Sequence, residues 1–361
     1  MVSPLEGAPP ARVVQYTERL TSMLDDSRVG RKGDSSTRVE RELDEMLYSR
    51  CQRCDLRFVR DVIGHWRATT TSSRDGSLAL LATIAWMNDV SPPAGRICEI
   101  WTYPVKSMQG IQLDGARLDA AGIAGDRRLA VRDLVTGKIL SAKAPSLGRA
   151  LLACHARHHE DSDQVVVTVG GRDFLHLDHA ADLADALSTL LGRPAALAHS
   201  GAEGEVYASE WPELDDMALS DVEMDLPMPS SSFADVAPIQ LLTTASLARL
   251  ATLAPGSDLD VNRFRPSMVI EVEGDGFVEN GWVNQQVRIG DATLRFGPAS
   301  PRCVMTTLAQ PGLDEDRSVL RTLAAHNKLD YSGFGNFACL GVYADVTTAG
   351  TVHVGDEIVA I

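Results

Sequence analysis

Aromatic side chains make up only 5% of the 361 residues, and the whole chain contains six cysteines. So few cysteines over this length do not form the dense disulfide framework of small secreted domains. Long hydrophobic runs are also missing: the longest, residues 78–87, is about half of the ~20 residues that a membrane-spanning helix needs. The first residues, Met-Val-Ser-Pro-Leu-Glu, lack the basic-then-apolar pattern of a secretory signal peptide. We therefore expect a reduced, cytoplasmic protein that does not bind membranes.

Positively charged residues are also fewer than negatively charged ones. The chain has 34 Lys and Arg residues against 49 Asp and Glu residues, which gives a net charge of −15 at pH 7. A field of this sign repels phosphate backbones, so we expect no nucleic-acid partner. A local basic pocket for one small anion remains compatible with this charge. The apolar share of 44% is typical of a globular protein, and the length favours two or three domains.

The residue pattern divides the chain into four parts. Helical spacing of apolar residues predicts a helical N-terminal extension over residues 1–93. Short β-like segments between Gly, Asp and Pro turns predict a first β-rich domain over 96–200. An acidic stretch at 201–232 reads as a connecting segment, and a second β-rich domain follows at 233–361. Many short strands with few long helices favour a mostly β fold with peripheral helices, containing two barrel-like units.

Cys303 is the first candidate for a residue with a chemical function. It follows a predicted strand in the sequence Ser300-Pro301-Arg302-Cys303. A cysteine beside an arginine can act as a nucleophile or as a ligand of a soft metal. A lone cysteine is more often buried and inert, so the local sequence leaves both roles open.

Several cations and hydroxyls stand at predicted strand ends or turns. They include Lys106 and Ser107 after the first strand, Arg127 in a Gly-Asp-Arg turn, and Arg263 with Arg265. Convergence of such groups would make a fork-like site for phosphate or carboxylate, because guanidinium groups bind both through paired hydrogen bonds. In an acidic chain, each of these residues taken alone is better explained as a solvated surface residue, so only their convergence would indicate a binding site.

Two other groups of possible metal ligands carry weaker patterns. Cys51 and Cys54 form a CxxC pair, but no second pair follows at zinc-ribbon spacing. His155, His158 and His159 also lack the spacing of a zinc site, and we expect them in a solvated loop.

Short motifs along residues 96–361 resemble the MOSC domain (molybdenum cofactor sulfurase C-terminal) and the β-barrel domain that precedes it. The run Ile-Trp-Thr-Tyr-Pro-Val-Lys-Ser at 100–107 and the Gly-Asp-Arg at 125–127 resemble the N-terminal barrel. The segments that resemble the MOSC domain itself are Asp235-Val236-Ala237-Pro238, Ala245-Ser246-Leu247, Phe264-Arg265-Pro266, Arg302-Cys303 and Gly355-Asp356.

The architecture is most similar to that of the amidoxime-reducing components and their bacterial counterparts. This resemblance implies a molybdenum cofactor (molybdopterin), with Cys303 as the metal ligand and catalytic residue. It also implies a small N-hydroxylated substrate, with electrons from a separate reductase or ferredoxin-like protein. The cofactor-binding positions that it implies are Lys106, Ser107, Arg127, Arg265, Ser267, Arg302 and Phe337.

The chain departs from the family pattern at three places. Ser267 stands where the family commonly has Asn, and its hydroxyl offers no amide pair. Leu-Ala-Gln-Pro-Gly at 308–312 replaces the usual Asp-Pro-Asp-Thr-Gly, and Phe337 stands where relatives place Tyr. Two alternatives to the reductase therefore stay open. In the first, Cys303 carries a persulfide for sulfur transfer; in the second, the cleft is degenerate and the chain is a non-catalytic adaptor.

Overall fold

The computed structural model describes residues 94–201, 204–212, 219–227, 231–330 and 335–361. The helical extension expected over residues 1–93 lies outside them. The described part is mostly β with a closed barrel and peripheral helices, which confirms the predicted fold class.

The strands are short and numerous. In chain order they are β1 (Gly95–Thr102), β2 (Ile111–Leu113), β3 (Gly115–Asp119), β4 (Gly122–Ile123), β5 (Leu129–Asp133), β6 (His155–His158), β7 (Val165–Val169), β8 (Arg172–Leu175), β9 (Ala195–His199), β10 (Val206–Pro212), β11 (Leu219–Pro227), β12 (Ile239–Thr243), β13 (Met268–Val272), β14 (Gln286–Ile289), β15 (Ala292–Pro301), β16 (Lys328–Asp330), β17 (Asn336–Thr348), β18 (Gly350–His353) and β19 (Glu357–Ala360).

The helices of the described residues are α1 (Pro145–Gly148), α2 (Ala180–Leu191), α3 (Thr244–Leu253) and α4 (Ser318–His326). Short 3₁₀ turns lie at Arg149–Ala153, Val261–Arg263, Val278–Gly281 and Val304–Thr307. The last of these turns begins directly after Cys303, so the backbone reverses at the predicted metal ligand.

Seven strands close into a barrel in the order β12-β13-β1-β19-β14-β15-β17, and β17 pairs back onto β12. The pairing of β12 with β13 is parallel, and the other six pairings are antiparallel. Alternate side chains point inward and are fully buried, as Ile100, Leu241 and Phe296 illustrate. Burial of this apolar surface is the main source of the barrel's stability.

The first strand of the chain's described part belongs to this barrel. β1 lies at the start of the first predicted domain, 96–200, yet it pairs with β13 and β19 of the second. Gly95, for example, stands opposite both Val272 and Ile358. The barrel is therefore completed by residues from both ends of the described sequence.

Two smaller sheets and α2 form a second core beside the barrel. One sheet pairs β5 with β9, and in the other β7 pairs with both β6 and β8. A third small sheet, in which β3 pairs with β4 and β18, packs on the barrel core through Leu118 and Val352. α2 packs on the second core through Leu183 and Leu187, which are buried against strand residues such as Val167. The Gly170-Gly171 pair between two short apolar segments predicts a hairpin turn, and β7 and β8 form this hairpin with both glycines at positive φ.

Three segments differ from the sequence-based expectation. The short apolar segment 151–156 predicts a strand, but its first residues lie in the 3₁₀ turn Arg149–Ala153, where Leu151 and Leu152 are buried in two different apolar clusters. Residues 138–141 also predict a strand, but they make only isolated bridges, at Ile139. The connecting segment 201–232 contains the β10–β11 hairpin.

A buried carboxylate joins two strands of the barrel, β12 and β17, to helix α3. Glu279 is fully buried and accepts hydrogen bonds from Thr243 Oγ1 at 2.8 Å, Ser246 Oγ at 2.5 Å and the Gly341 amide at 2.9 Å. Burial raises the pKa of Glu279 above its ordinary 4.5. This group therefore stabilises the fold most at low pH, and its contribution falls as the pH rises through the raised pKa.

We expect Glu279→Ala to lower the free energy of unfolding by about 3–5 kcal/mol, because it leaves three buried donors without an acceptor and opens a cavity. Urea denaturation monitored by circular dichroism measures this loss. The matched control is Glu357→Ala on the exposed face of β19, where we expect a change within about 0.5 kcal/mol. Equal stability of the two variants would contradict the role of Glu279.

Candidate functional site

A cleft runs along the boundary between the barrel and the second core. Both cores contribute to its wall: Lys106 and Ser107 follow β1, Lys143 precedes α1, and Arg302 and Cys303 follow β15. The complete lining is Lys106, Ser107, Arg127, Ser141, Lys143, Ala234, Asp235, Ala237, Pro238, Gln240, Arg263, Phe264, Arg265, Ser267, Ser300, Pro301, Arg302, Cys303, Met305, Thr306 and Tyr343.

The charge of this lining is opposite to that of the whole chain. Asp235 is its one carboxylate, whereas six of its residues are cations: Lys106, Arg127, Lys143, Arg263, Arg265 and Arg302. A concentration of positive charge inside an acidic protein focuses the local potential and attracts an anionic ligand. The cations therefore converge in one cleft, which is the arrangement expected of a binding site and not of scattered surface residues.

Backbone strain is concentrated at the same place. Ser107, Arg127 and Arg265 adopt φ values of 65°, 47° and 54°, and all three line the cleft. Among the described non-glycine residues, Asn284 is the one other with positive φ. Such conformations cost about 1–3 kcal/mol each and persist where the surrounding structure enforces them, often at functional sites.

A buried tyrosine ring supports two of the arginines. The Arg265 and Arg127 guanidinium carbons lie 4.2 and 4.9 Å from the centroid of the Tyr103 ring, as in cation–π contacts. Arg127 also pairs with Asp126 and donates from Nη2 to the backbone oxygen of Arg265 at 3.2 Å. Arg127 is therefore held in place by protein partners.

Arg265 differs from Arg127 in having unused donors. It is 8% exposed, and neither Nη1 nor Nη2 has a hydrogen-bond partner among the described residues. Burial lowers its pKa to about 10, which keeps the side chain protonated at neutral pH. A buried guanidinium with free terminal nitrogens is suited to bind an anion through two hydrogen bonds.

Asp235 lies between two lysine ammonium groups. Lys106 Nζ contacts one carboxylate oxygen and donates to the Phe233 carbonyl at 3.0 Å, and Lys143 Nζ lies 2.9 Å from the other oxygen. Both ammonium groups stand over the Tyr207 ring, 4.7 and 5.5 Å from its centroid. Burial alone would raise the pKa of Asp235, but the two ammonium groups outweigh it and hold the pKa far below its usual range.

The two lysines differ in how tightly they hold a proton. Burial lowers the pKa of Lys106 to about 8, although Asp235 opposes this shift. For Lys143, the charges of Asp235 and Cys303 outweigh burial, so its pKa is raised well above 10.5. Lys106 is therefore the lysine that loses its proton first as the pH rises, near pH 8.

Cys303 is partly exposed and lines the cleft on the side where Arg302 lies. Its carbonyl accepts from the Thr306 amide at 3.2 Å and from Thr306 Oγ1 at 2.9 Å, which fixes the turn after it. Arg302 donates to Ser300 Oγ at 3.1 Å, and its buried Nε has no partner among the described residues.

Arg263 has a different function from its neighbours. It is 1% exposed, and its three donor nitrogens bind the carbonyls of Asp258, Thr306 and Asp314 at 2.9, 3.1 and 3.1 Å. These contacts attach the turn after Cys303 to two neighbouring loops. Arg263 supports the wall of the cleft, and all its nitrogens are already in use.

Seven of the eight residues expected from the sequence line this one cleft: Lys106, Ser107, Arg127, Arg265, Ser267, Arg302 and Cys303. Phe337 lies outside the lining, on β17 opposite Leu329 of β16. The sequence analysis missed Lys143 and Gln240 and named Asp235 only as part of a motif. Cys51 and Cys54 lie outside the described residues.

Fold and site together define a class: a β-barrel protein whose cationic cleft, built beside one cysteine, suits a phosphate-bearing ligand. Residues 94–207 match the MOSC N-terminal beta barrel domain, and residues 229–359 match the MOSC domain. The chain belongs to the MOSC-domain family.

The chain is also similar to two curated relatives. It is 25% identical over 291 residues to the mitochondrial amidoxime reducing component 2 of Bos taurus, and 24% identical over 289 residues to the mitochondrial amidoxime-reducing component 1 of Homo sapiens. Each alignment covers 73% of this chain and 82% of the relative. Within the described part of this chain, no helix has the length and apolar character needed to cross a bilayer.

We expect Arg265→Leu to weaken the binding of sulfate to the cofactor-free protein about tenfold, because a charged hydrogen-bonding group is lost from the cleft. Isothermal titration calorimetry measures the affinity. The matched control is Arg295→Leu, which removes an exposed arginine paired with Asp345 on the outer surface. Unchanged affinity in the Arg265 variant would show that sulfate does not bind in this cleft.

We expect sulfate affinity to fall as the pH rises from 7 to 9. Below a pKa of about 8, Lys106 is protonated and adds one positive charge to the cleft; above it, that charge is gone. Sulfate does not change its own charge in this range, so the decrease reports on the protein. In Lys106→Met the affinity is lower at pH 7 and nearly constant up to pH 9. An equal decrease in that variant would assign the titration to another group.

Proposed function

We propose that the protein is a molybdenum-cofactor-dependent oxidoreductase that reduces N-hydroxylated small molecules, with Cys303 as the molybdenum ligand. One observation carries the proposal: Cys303 lines a strongly cationic cleft in a MOSC-family chain. The names of the curated relatives, amidoxime-reducing components, support the substrate class.

The chemistry of the donors in the cleft fits a molybdopterin-type cofactor. Such a cofactor carries phosphate, a polar heterocycle and a metal that accepts sulfur ligands. The cations offset the charge of the phosphate. The Nη atoms of Arg265 and Nε of Arg302, which make no hydrogen bond to the residues that the structure describes, are buried donors for oxygen or nitrogen atoms. The Cys303 thiol is a soft ligand suited to molybdenum.

We assign the cofactor-binding residues by how each side chain is used. Lys106, Arg127, Arg265 and Arg302 would hold the phosphate and pterin. Ser107 Oγ accepts from the Ala142 amide at 3.0 Å and Ser267 Oγ from the Gln240 amide at 3.2 Å, so these two hydroxyls shape the cleft wall. The expected role of Phe337 rests on the resemblance alone.

The bound cofactor would supply two-electron reduction of an N–O bond: R–NHOH + 2H⁺ + 2e⁻ → R–NH₂ + H₂O. The reaction consumes two protons, one for the leaving hydroxyl and one for the nitrogen. Lys143 Nζ keeps its proton at neutral pH because of Asp235 and Cys303, and it lines the same cleft as the thiol. Lys106, with a pKa of about 8, releases and takes up a proton more easily.

The electrons would come from a separate protein. No group of His, Cys, Asp and Glu side chains in the described residues is arranged to hold another metal centre. We propose a reductase or a ferredoxin-like protein as the donor. We also retain the cytoplasm as the location expected from the sequence, whereas the curated relatives are named as mitochondrial.

We expect protein purified from a host that makes molybdopterin to contain molybdenum, and Cys303→Ala to contain at least about tenfold less, because the thiolate ligand is lost. The matched control is Cys98→Ala, which removes a second partly exposed free cysteine, located on β1. Elemental analysis and reduction of an aryl amidoxime with a reduced viologen dye measure loading and activity.

Metal-free wild type, or equal molybdenum in the Cys303 and Cys98 variants, would contradict the proposal. Mass spectrometry of Cys303 after incubation with a desulfurase tests the sulfur-transfer alternative. A persulfide on Cys303 in metal-free protein would favour that alternative, and an unmodified thiol would oppose it.

A further inference from the structure

Gln240 presents a buried amide to the cleft that the assigned site does not use. It lies in β12, is 8% exposed, and belongs to the cleft lining. Its backbone is fixed: its amide donates to Ser267 Oγ at 3.2 Å, and its carbonyl accepts from the Ser267 amide at 2.7 Å. The start of the side chain is therefore held rigidly beside Ser267.

The two polar atoms of this side chain are unpaired in the part of the chain that the structure describes. Neither Nε2 nor Oε1 of Gln240 makes a hydrogen bond within the described residues. Burial of an amide without hydrogen bonds costs free energy, so most buried polar groups in folded proteins are paired. If no ligand bound here, an apolar residue of similar size at position 240 would stabilise the fold more than glutamine does. A ligand that pairs with both atoms would account for a glutamine here.

The strand opposite Gln240 leaves room for the amide. Gly341 of β17 adopts φ +84°, and a Cβ atom at this position would stand 2.6 Å from Gln240 Nε2 and 2.3 Å from the Leu241 carbonyl. A side chain at 341 would therefore push the amide out of its place. Ser267, on the other side, is short and its Oγ already accepts from Gln240.

We infer that the Gln240 carboxamide binds an edge of the cofactor's pterin ring. A carboxamide offers one acceptor and two N–H donors, which complement a heterocycle edge that carries an acceptor beside a donor. The cations of the cleft meet the phosphate, whereas an uncharged amide is suited to a neutral ring. This assignment rests on the proposed function. Gln240 would supply the amide group that is missing at position 267, where this chain has Ser and the family commonly has Asn.

The test compares pterin retention with the stability of the cofactor-free protein. Gln240→Leu keeps the volume of the side chain and removes both hydrogen-bonding atoms. We expect the full-length variant, purified from a molybdopterin-producing host, to retain about tenfold less pterin, measured by fluorescence after oxidative release. The same variant from a host without the cofactor should melt at the wild-type temperature or above, because an unsatisfied buried amide has been removed.

Two further variants sharpen the comparison. Gln285→Leu is the matched control, since Gln285 Oε1 also makes no hydrogen bond to any described residue but lies outside the cleft lining. The pterin content of this variant should equal that of the wild type. Ser267→Asn added to Gln240→Leu returns an amide to the same wall and should restore pterin retention.

Wild-type pterin content in Gln240→Leu overturns the inference and leaves the proposed function intact. A melting temperature of the cofactor-free variant several degrees below wild type also overturns it, because Gln240 would then be a structural residue. Absence of pterin from the wild type itself is a different result, which contradicts the proposed function.

Discussion

Six cations line one cleft, and the structure has to offset the repulsion among them. Asp235 offsets this repulsion for Lys106 and Lys143, whose ammonium groups both lie over the Tyr207 ring. For the arginines, the repulsion is offset in other ways. Arg127 pairs with Asp126, and Arg263 is saturated by three carbonyls. Arg265 keeps both terminal nitrogens free in the part of the chain that the structure describes. A bound anion would therefore complete a charge balance that the protein leaves open.

The barrel supplies the rigidity that this arrangement requires. Positive φ at Ser107, Arg127 and Arg265 would relax in a flexible loop, but each residue lies next to buried, hydrogen-bonded backbone. The Lys106 amide donates to the Leu129 carbonyl, and the Arg265 amide donates to Val261. Strain at three positions is thus held by apolar packing and backbone pairing elsewhere, a common arrangement at binding sites.

The alternation of short apolar segments and turns predicted the mostly β class. Seven residues of the cleft lining were predicted only through the resemblance of short motifs, such as Gly-Asp-Arg and Arg-Cys, to the MOSC family. The sequence did not predict Lys143, a single cation in a segment without a regular pattern. Gln240 was missed because a lone polar residue in an apolar strand says nothing about what it faces. The partners of Arg263 are backbone carbonyls, which have no sequence signature, and the pairing of β1 with β19 spans the whole described chain.

That pairing also bears on how the molecule folds during synthesis. Gly95 of β1 stands opposite Ile358, so the barrel cannot close until residues 357–360 of β19 have left the ribosome. Until then, the backbone edge of β1 at Gly95 and Arg96 lacks the strand that it pairs with in the barrel. Contacts this distant in sequence slow folding and leave a nascent chain exposed to aggregation, which makes chaperone assistance more valuable than for a protein built from local contacts.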